Sequence, residues 1–335
     1  MNKKMFAWIV WAVVLIGIFF VASAISLSVG TVNFSPRELI SVITQQDDET
    51  LHAIVTQMRL PRILLGLAVG GGLSLVGVLL QGMFRNPLVE PYTLGISGGA
   101  CLGVCLSIVL RANRVFGFLA LPVAGFLGAG LVIWFLYNLS IRKGILQIKG
   151  VLLSGVMISY ITSSLIMLIM AVSHTEDLHG IVMWTMGSLA ATNWGLVKLV
   201  FFVSILGLIL SHFFCISLNA FSLGEEHATH LGINVERTKK LIFLVTSLLT
   251  GFFVAIAGII GFVGLVVPHF MRLLVGQDHR ILIISSFLAG GAFLIFCDMC
   301  ARTVIAPLEL PVGVITGILG GSLFLYALAR KYKEL

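Results

Sequence analysis

The chain has 335 residues, of which 59% are apolar and only 10% charged, with 36 glycines and a formal net charge of +7. Soluble domains carry roughly 25% charged residues, and a soluble chain of this length has no interior large enough for so much apolar surface, so lipid must be its main solvent. The five cysteines lie in apolar stretches without the spacing of a secreted disulfide framework. The basic residues cluster between apolar segments, where they set membrane orientation rather than form a nucleic-acid surface.

In chain order, Lys3 and Lys4 precede an apolar run from Met5 to about Val29. A cleaved signal peptide shares the basic start and the small-residue run Ala22-Ser23-Ala24, but this run is long for an h-region and more spans follow, which favours a retained first helix. Residues 30–58, with Asp47, Asp48 and Glu49, read as a polar external loop. Spans two to five fall at about 61–83, 92–110, 116–137 and 148–172. Residues 173–192 carry His174, Glu176, Asp177 and His179 before an apolar patch around Trp184 suited to the membrane interface. Span six covers about 194–216, a charged loop 221–240, and span seven 241–260.

Phe262–Val275 is shorter than the roughly 20 residues a crossing normally needs, and charge arbitrates. If it crosses, ten spans place both termini in the cytoplasm, with 14 Lys and Arg inside and 6 outside (Arg37, Arg59, Arg62, Arg111, Arg114 and Arg302), Lys198 within span six being left out. If it does not, the split is 10 and 10. The excess of positive charge inside favours ten spans, the last two at 281–301 and 311–329. Gly66 and Gly70, Gly99 and Gly103, and Gly313, Gly317 and Gly321 recur every four residues. In lipid such small residues permit the close backbone contact that drives helix packing. The fold class is an all-α polytopic membrane protein, a Gly-rich, tightly packed bundle of ten helices.

The chain has no G-x-x-x-x-G-K-[ST] phosphate loop and few carboxylates within the spans, Asp298 being the main one, four residues from Arg302 and able to pair with it. Ion-driven carriers normally use such carboxylates as coupling sites, so energy must be supplied by another chain. The segment Ser222–Gly232 is amphipathic and ends at glycine, as a short surface helix followed by a turn would; an ordinary solvated loop is the alternative. Its Glu226-His227-Ala228-x-x-x-Gly232 is similar to the E-A-A-x-x-x-G loop by which ABC importer permeases meet their ATPase, departing from it in His227.

Further stretches resemble the FecCD-type permeases, the membrane subunits of ABC importers for ferric siderophores, haem and vitamin B12. They are Arg59-Leu60-Pro61-Arg62, Gln81 with Arg85-Asn86-Pro87-Leu88, Leu94-Gly95-Ile96, Trp184 with Gly187-Ser188, Phe262-Val263-Gly264-Leu265 with Pro268-His269 and Arg272, Asp278-His279-Arg280, Asp298 with Arg302, and Glu309-Leu310-Pro311-Val312-Gly313. The set keeps the family's order over most of the chain. The resemblance implies a type II ABC importer permease in a bacterial or archaeal cytoplasmic (inner) membrane, paired with a second permease copy, two ATPase subunits and a periplasmic or lipid-anchored solute-binding protein. It implies no catalysis by this chain, no cofactor and no resident metal.

Residue by residue, the resemblance makes Arg59, Arg62 and Arg302 the docking arginines for the binding protein; snorkelling anchors are the alternative. It makes Glu226, His227, Ala228, Leu231 and Gly232 the ATPase coupling element, with Asn86-Pro87-Leu88 and the Arg272–Arg280 turn as candidate second contacts. Gly155, Ser159, Thr162, Ser163 and Met167 share one face of span five, and in the family the fifth helix lines the pathway; packing of a hydroxylated face against a neighbour is the alternative. The cargo expected is a metal chelate, ferric siderophore first, with haem, cobalamin or molybdate as rivals. An ion-coupled secondary carrier and a channel or scaffold without energy input are the readings from other classes. Cys297-Asp298-Met299-Cys300, and Cys101 with Cys105, read as small packing residues within apolar helices rather than metal or redox sites.

Overall fold

A computed structural model describes residues 3–30, 32–35, 37–39, 49–142, 145–190 and 193–333. The loop acids Asp47 and Asp48, and Lys143 of the charge count, lie outside them. The α-helices of six or more residues are α1 (Lys3–Ser28), α2 (Leu60–Phe84), α3 (Ile96–Val109), α4 (Ala120–Ser140), α5 (Ile148–Val172), α6 (Thr175–Thr185), α7 (Trp194–Phe213), α8 (Cys215–Leu223), α9 (Glu225–His230), α10 (Val235–Ala257), α11 (Val263–Val275), α12 (His279–Thr303) and α13 (Val312–Lys333). A two-residue antiparallel hairpin, β1 (Ile141–Arg142) and β2 (Ile145–Leu146), turns the chain between α4 and α5.

Among the described residues eight helices are long and apolar enough to cross a membrane, and the two shorter apolar helices α3 and α11 complete the ten expected. The expected loop over 30–58 is shorter than the sequence implies. Glu49–Ala53 is α-helical and Ile54–Arg59 a π-helical turn, and both run directly into α2. The charged segment 221–240 is likewise mostly helical, with Arg237, Lys239 and Lys240 in the opening turns of α10. Asn234 caps that helix by accepting the Arg237 N–H, which fixes the start earlier than hydropathy suggests.

The bundle is built around α2. Of its most apolar window 94% is buried, against 6% for α1 and 11% for α5, whose surfaces are left for lipid or another chain. Helix α12 packs antiparallel along it. A Cβ on Gly70 would collide with the backbone of Gly290, and one on Gly66 would lie 2.9 Å from the Ile295 side chain. On another face of α2, Gly77 meets the backbone of Gly264 at the start of α11. Gly99 and Gly103 of α3 fit against Gly128 and Ala124 of α4 in the same way. These contacts are the close approaches the glycine spacing predicts. The last series differs: Gly313 abuts the Met186 and Ile259 carbonyls, but Gly317 faces open space and Gly321 only the Phe262 ring. Four-residue spacing there does not make one interface.

Between α10 and α11 the helix breaks at Gly258–Phe262, and Phe262 takes φ +66°, a left-handed conformation uncommon for a bulky residue. Tyr92 clamps this break, its hydroxyl donating to Ile260 O (2.6 Å) and accepting from Ile260 N–H (2.7 Å). The backbone N–H and carbonyl of Ile260, orphaned by the break, are thereby satisfied from the α2–α3 connection.

Candidate functional site

Three places carry polar chemistry, one at each end of α2 and one between. Arg62 and Arg85 are separated by 23 residues of helix and cap, about 35 Å at 1.5 Å per residue, enough to cross the roughly 30 Å apolar core of a bilayer.

At the Arg62 end, the antiparallel packing of α2 on α12 brings together residues more than two hundred positions apart. Arg62 Nη2 lies 3.1 Å from Asp298 Oδ1, and Arg62 Nη1 lies 2.9 Å from Glu309 Oε2. Arg302 Nε meets Asp298 Oδ2 at 3.0 Å, the i,i+4 pair visible in the sequence, and its Nη2 donates to Ser26 Oγ of α1 at 2.7 Å. Arg59 donates to the carbonyls of Leu27 and Val32 and stacks on the Phe34 ring at 4.3 Å. Arg59 and Arg302 are each only 4% exposed. Their guanidinium groups are held by this chain's own acceptors. Glu309 is the solvent-exposed member of the cluster, its side chain 41% accessible against 11% for Arg62. A small cavity of about 110 Å³ opens here between Arg62, Glu309 and the Gly187–Ser188 turn.

At the opposite end, α9 sits between two glycines with positive φ, Gly224 at +116° and Gly232 at +82°. Both conformations are ones a side chain resists, so the sequence sharply delimits this short helix. Ala228 is fully buried and anchors α9 to the bundle, while Glu226, His227, Leu231 and Gly232 are exposed. The helix is further tied by Lys239, itself 4% exposed, whose Nζ lies 2.7 Å from Glu225 Oε2 and 3.5 Å from Glu236 Oε1. Glu236 also accepts the Leu146 N–H at 3.0 Å, joining the β1–β2 hairpin to the same unit.

Beside α9, α8 connects to the start of α12. Asn219 Nδ2 donates to Asp278 Oδ1 (2.9 Å), and Asn219 Oδ1 accepts the His279 N–H (2.9 Å) and faces its Nδ1 (2.8 Å). Partial burial pushes the Asp278 carboxyl up, but the Arg280 N–H, the Asn219 amide and the charges of Arg280 and His279 outweigh it and hold the group below its ordinary value. As an ionised N-cap, Asp278 secures the Arg272–Arg280 turn.

Between the ends, the five residues of the α5 face separate. Gly155 packs against the backbone of Thr93 and Leu94, and Thr162, 5% exposed, bonds to Ile158 O and Ser159 O beside Gly98. Ser159 is half-buried, and Ser163 and Met167 are exposed. Ser159 and Ser163 border an open depression of about 340 Å³ whose wall includes Glu90. Glu90 accepts from the Phe262 N–H, and its Oε2 is buried without a partner. The sequence reading missed it because Glu90 lies in the polar connection after Arg85-Asn86-Pro87; its only signal is a lone acid before Pro91 in an otherwise apolar stretch. The reading also missed Glu309 as a partner of Arg62.

Cys101, Cys105, Cys297 and Cys300 lie within α3 and α12, with Cys101 Sγ 3.9 Å from Cys105 Sγ. Among the described residues no three of His, Cys, Asp and Glu converge as a metal site would require.

Comparison with known proteins places these features in context. The family model described as the FecCD transport family matches residues 16–330. The hemin transport system permease protein HmuU of Yersinia pestis is 36% identical over 315 residues, covering 92% of this chain and 92% of its own. The molybdate import system permease protein MolB of Haemophilus influenzae is 35% identical over 312 residues, covering 91% and 90%. Among solved structures, a transporter assigned to the metal-chelate ABC type, in an inward-facing conformation, superposes with a TM-score of 0.84 at 31% identity, covering 96% of this chain and 99% of that one.

Proposed function

The chain belongs to the FecCD transport family and is an ABC importer permease subunit, and from that premise we propose that it forms, with a second copy of itself, the pathway by which a ferric chelate crosses the cytoplasmic membrane, both of its termini lying inside. It is a single permease domain, and two ATPase subunits supply the energy. The observation that carries this reading is α9, a short exposed helix held rigid by a buried Ala228 and the Lys239–Glu225 ion pair. A rigid, protruding element is what transmits closure of an ATPase pair into a helix bundle. Glu226, His227 and Leu231 present its outer surface, Ala228 its root and Gly232 its end.

The opposite end docks the solute-binding protein. Arg62 offers the guanidinium that meets an acidic residue of the partner, and Glu309 is the internal carboxylate that the partner displaces; Arg59 and Arg302 hold the platform beneath it. Electrostatics of this kind aids encounter and register more than raw affinity. The cargo passes along α5, whose Ser159 and Ser163 border the depression, whose Met167 is exposed further along, and whose inward Gly155 and Thr162 seat it on Leu94 and on Gly98 of α3. Only 11% of the apolar window of α5 is buried, which suits a helix completed by a second copy.

A chelated iron needs a passage with few strong ligands, and the names of several relatives point the same way: hemin, Fe(3+)-citrate and Fe(3+)-hydroxamate permeases stand beside cobalamin and molybdate ones. Titrating the cognate binding protein with ferric siderophores, haem, cobalamin and molybdate tests the cargo. Tightest binding of a ferric siderophore is expected; preference for molybdate or cobalamin would replace that assignment without touching the permease reading.

A further inference from the structure

At the end of α2 remote from Arg62, a cavity of about 320 Å³ opens between the turn after α2, the side of α8 and the α11–α12 turn. Its wall is rich in donors, though His279 Nε2, buried without a partner, is left as an acceptor because Nδ1 turns its proton to Asn219 Oδ1. Arg272 Nη1 donates to Gln81 Oε1 at 2.6 Å, while the Gln81 amide turns away onto the Gly264 and Leu265 carbonyls. The remaining N–H groups of Arg272 and the exposed Arg85 guanidinium are left to donate, and so is the Asn86 side-chain amide, whose Oδ1 already accepts the Leu88 N–H. Gln277 adds a further amide at the rim.

No carboxylate borders the cavity, and among the described residues neither Arg85 nor Arg272 has one within ion-pair distance. Asp278, the adjacent acid, directs its carboxylate to Asn219 and the Arg280 N–H. Arg85 is also held at φ +51°, a left-handed cap position usually given to glycine. A charged residue at this left-handed cap, beside a donor-lined space, motivates a functional role for the position.

The geometry points to a phosphate site in this cavity, occupied by the headgroup of an anionic phospholipid. Two arginines suit a phosphate because guanidinium forks match its oxygens. The headgroup is favoured over free phosphate by position. The cavity lies at the end of a membrane-length helix, and Leu273 and Leu274, which follow Arg272 on α11, are 68% and 46% exposed, apolar surface at the same end of the bundle. Basic pockets between membrane helices on the cytoplasmic side are suited to anionic headgroups. A phosphate bound there bridges α2 and α11 to α8, the helix that leads into α9, so lipid composition would stiffen the element proposed to meet the ATPase.

The test uses the purified full-length permease, comparing retention of phosphatidylglycerol and phosphatidylcholine by native mass spectrometry, with inorganic phosphate as competitor. Selective retention of phosphatidylglycerol is expected. Retention should fall about fivefold in Arg85→Gln and about thirtyfold when Arg272→Gln is added, on the scale expected per basic residue at a membrane surface. Arg114→Gln, an exposed arginine remote from the cavity, should change nothing. Displacement by millimolar inorganic phosphate would show that the phosphate group alone is recognised; failure to displace would show that the whole lipid is. Equal retention of the two lipids, or an unchanged Arg85→Gln protein, would overturn the site. So would variants that lose ATPase binding while keeping the lipid, since the cavity would then be a protein contact. Because Arg272 also supports Gln81, the single Arg85→Gln variant decides the matter if the double variant fails to fold.

Discussion

Arg62 stands between a buried acid and an exposed one, and the two partners predict different consequences. Asp298, 3% exposed, is shared by Arg62 and Arg302, so Asp298→Ala leaves two arginines without their central carboxylate. Removing one member of a buried ion cluster costs about 3–5 kcal/mol, and a large loss of thermal stability in detergent is expected. Glu309→Gln releases Arg62 at a partly exposed position, where an ion pair contributes at most about 1 kcal/mol. Binding-protein affinity for this variant should rise, by up to about fivefold, with stability nearly unchanged. Weaker docking would show that Glu309 orients Arg62 rather than competes for it. Arg62→Glu should weaken docking, whereas Arg59→Glu should lower stability first, because it sets a carboxylate against the Leu27 and Val32 carbonyls. The Asp298–Arg302 pair was legible from its spacing on one helix. The Arg62–Asp298 and Arg62–Glu309 pairs were not, since 236 and 247 residues separate the partners and only the packing of α2 on α12 joins them.

At the scale of elements, backbone contact decides which glycines matter. Gly77→Ala places a Cβ against the Gly264 backbone, which cannot yield as a flexible side chain would, and should cost about 1–3 kcal/mol. Gly317→Ala, with open space around it, should be neutral or slightly stabilising through helix propensity. Thermal unfolding of the two variants checks the contrast. Gly232 separates conformation from contact: its φ is +82° and nothing of this chain lies within 4 Å of a Cβ there. Gly232→Asn tolerates the backbone and tests only the space, while Gly232→Leu strains both. If α9 meets an ATPase closely, Gly232→Asn already uncouples ATP hydrolysis from transport; full solute-stimulated hydrolysis in that variant would confine the role of Gly232 to the turn. The sequence made α9 and its terminal turn readable because Gly and an amphipathic run are local signals. It hid the helix at Glu49–Arg59, where polar residues suggested a loop but the chain continues α2 outward. It also hid the division of the α5 face, since helical spacing places Gly155 and Met167 on one side without telling which part a neighbour covers.

For the whole molecule, composition was enough to demand a membrane, and hydropathy located most of the crossings. The two short helices were the difficult part. Helix α11 has 13 residues because the chain breaks at Gly258–Phe262 and is held there by Tyr92, a contact from a distant connection that no local pattern encodes. Charge asymmetry supplied what length could not, by favouring a crossing at this segment. The resulting bundle has an arginine–carboxylate cluster and a rigid surface helix at opposite ends of one buried axis, α2. A single-chain carrier has no ATPase for the second feature to meet. The measurement that bears most directly on the account is uptake of a ferric siderophore into proteoliposomes holding this permease, with the ATPase and the binding protein supplied or omitted. The account expects accumulation only when ATP, the ATPase and the binding protein are all present, and its loss in Gly232→Asn at unchanged permease incorporation. Uptake that proceeds without ATP or the ATPase, or that follows an imposed proton or sodium gradient instead, would contradict it.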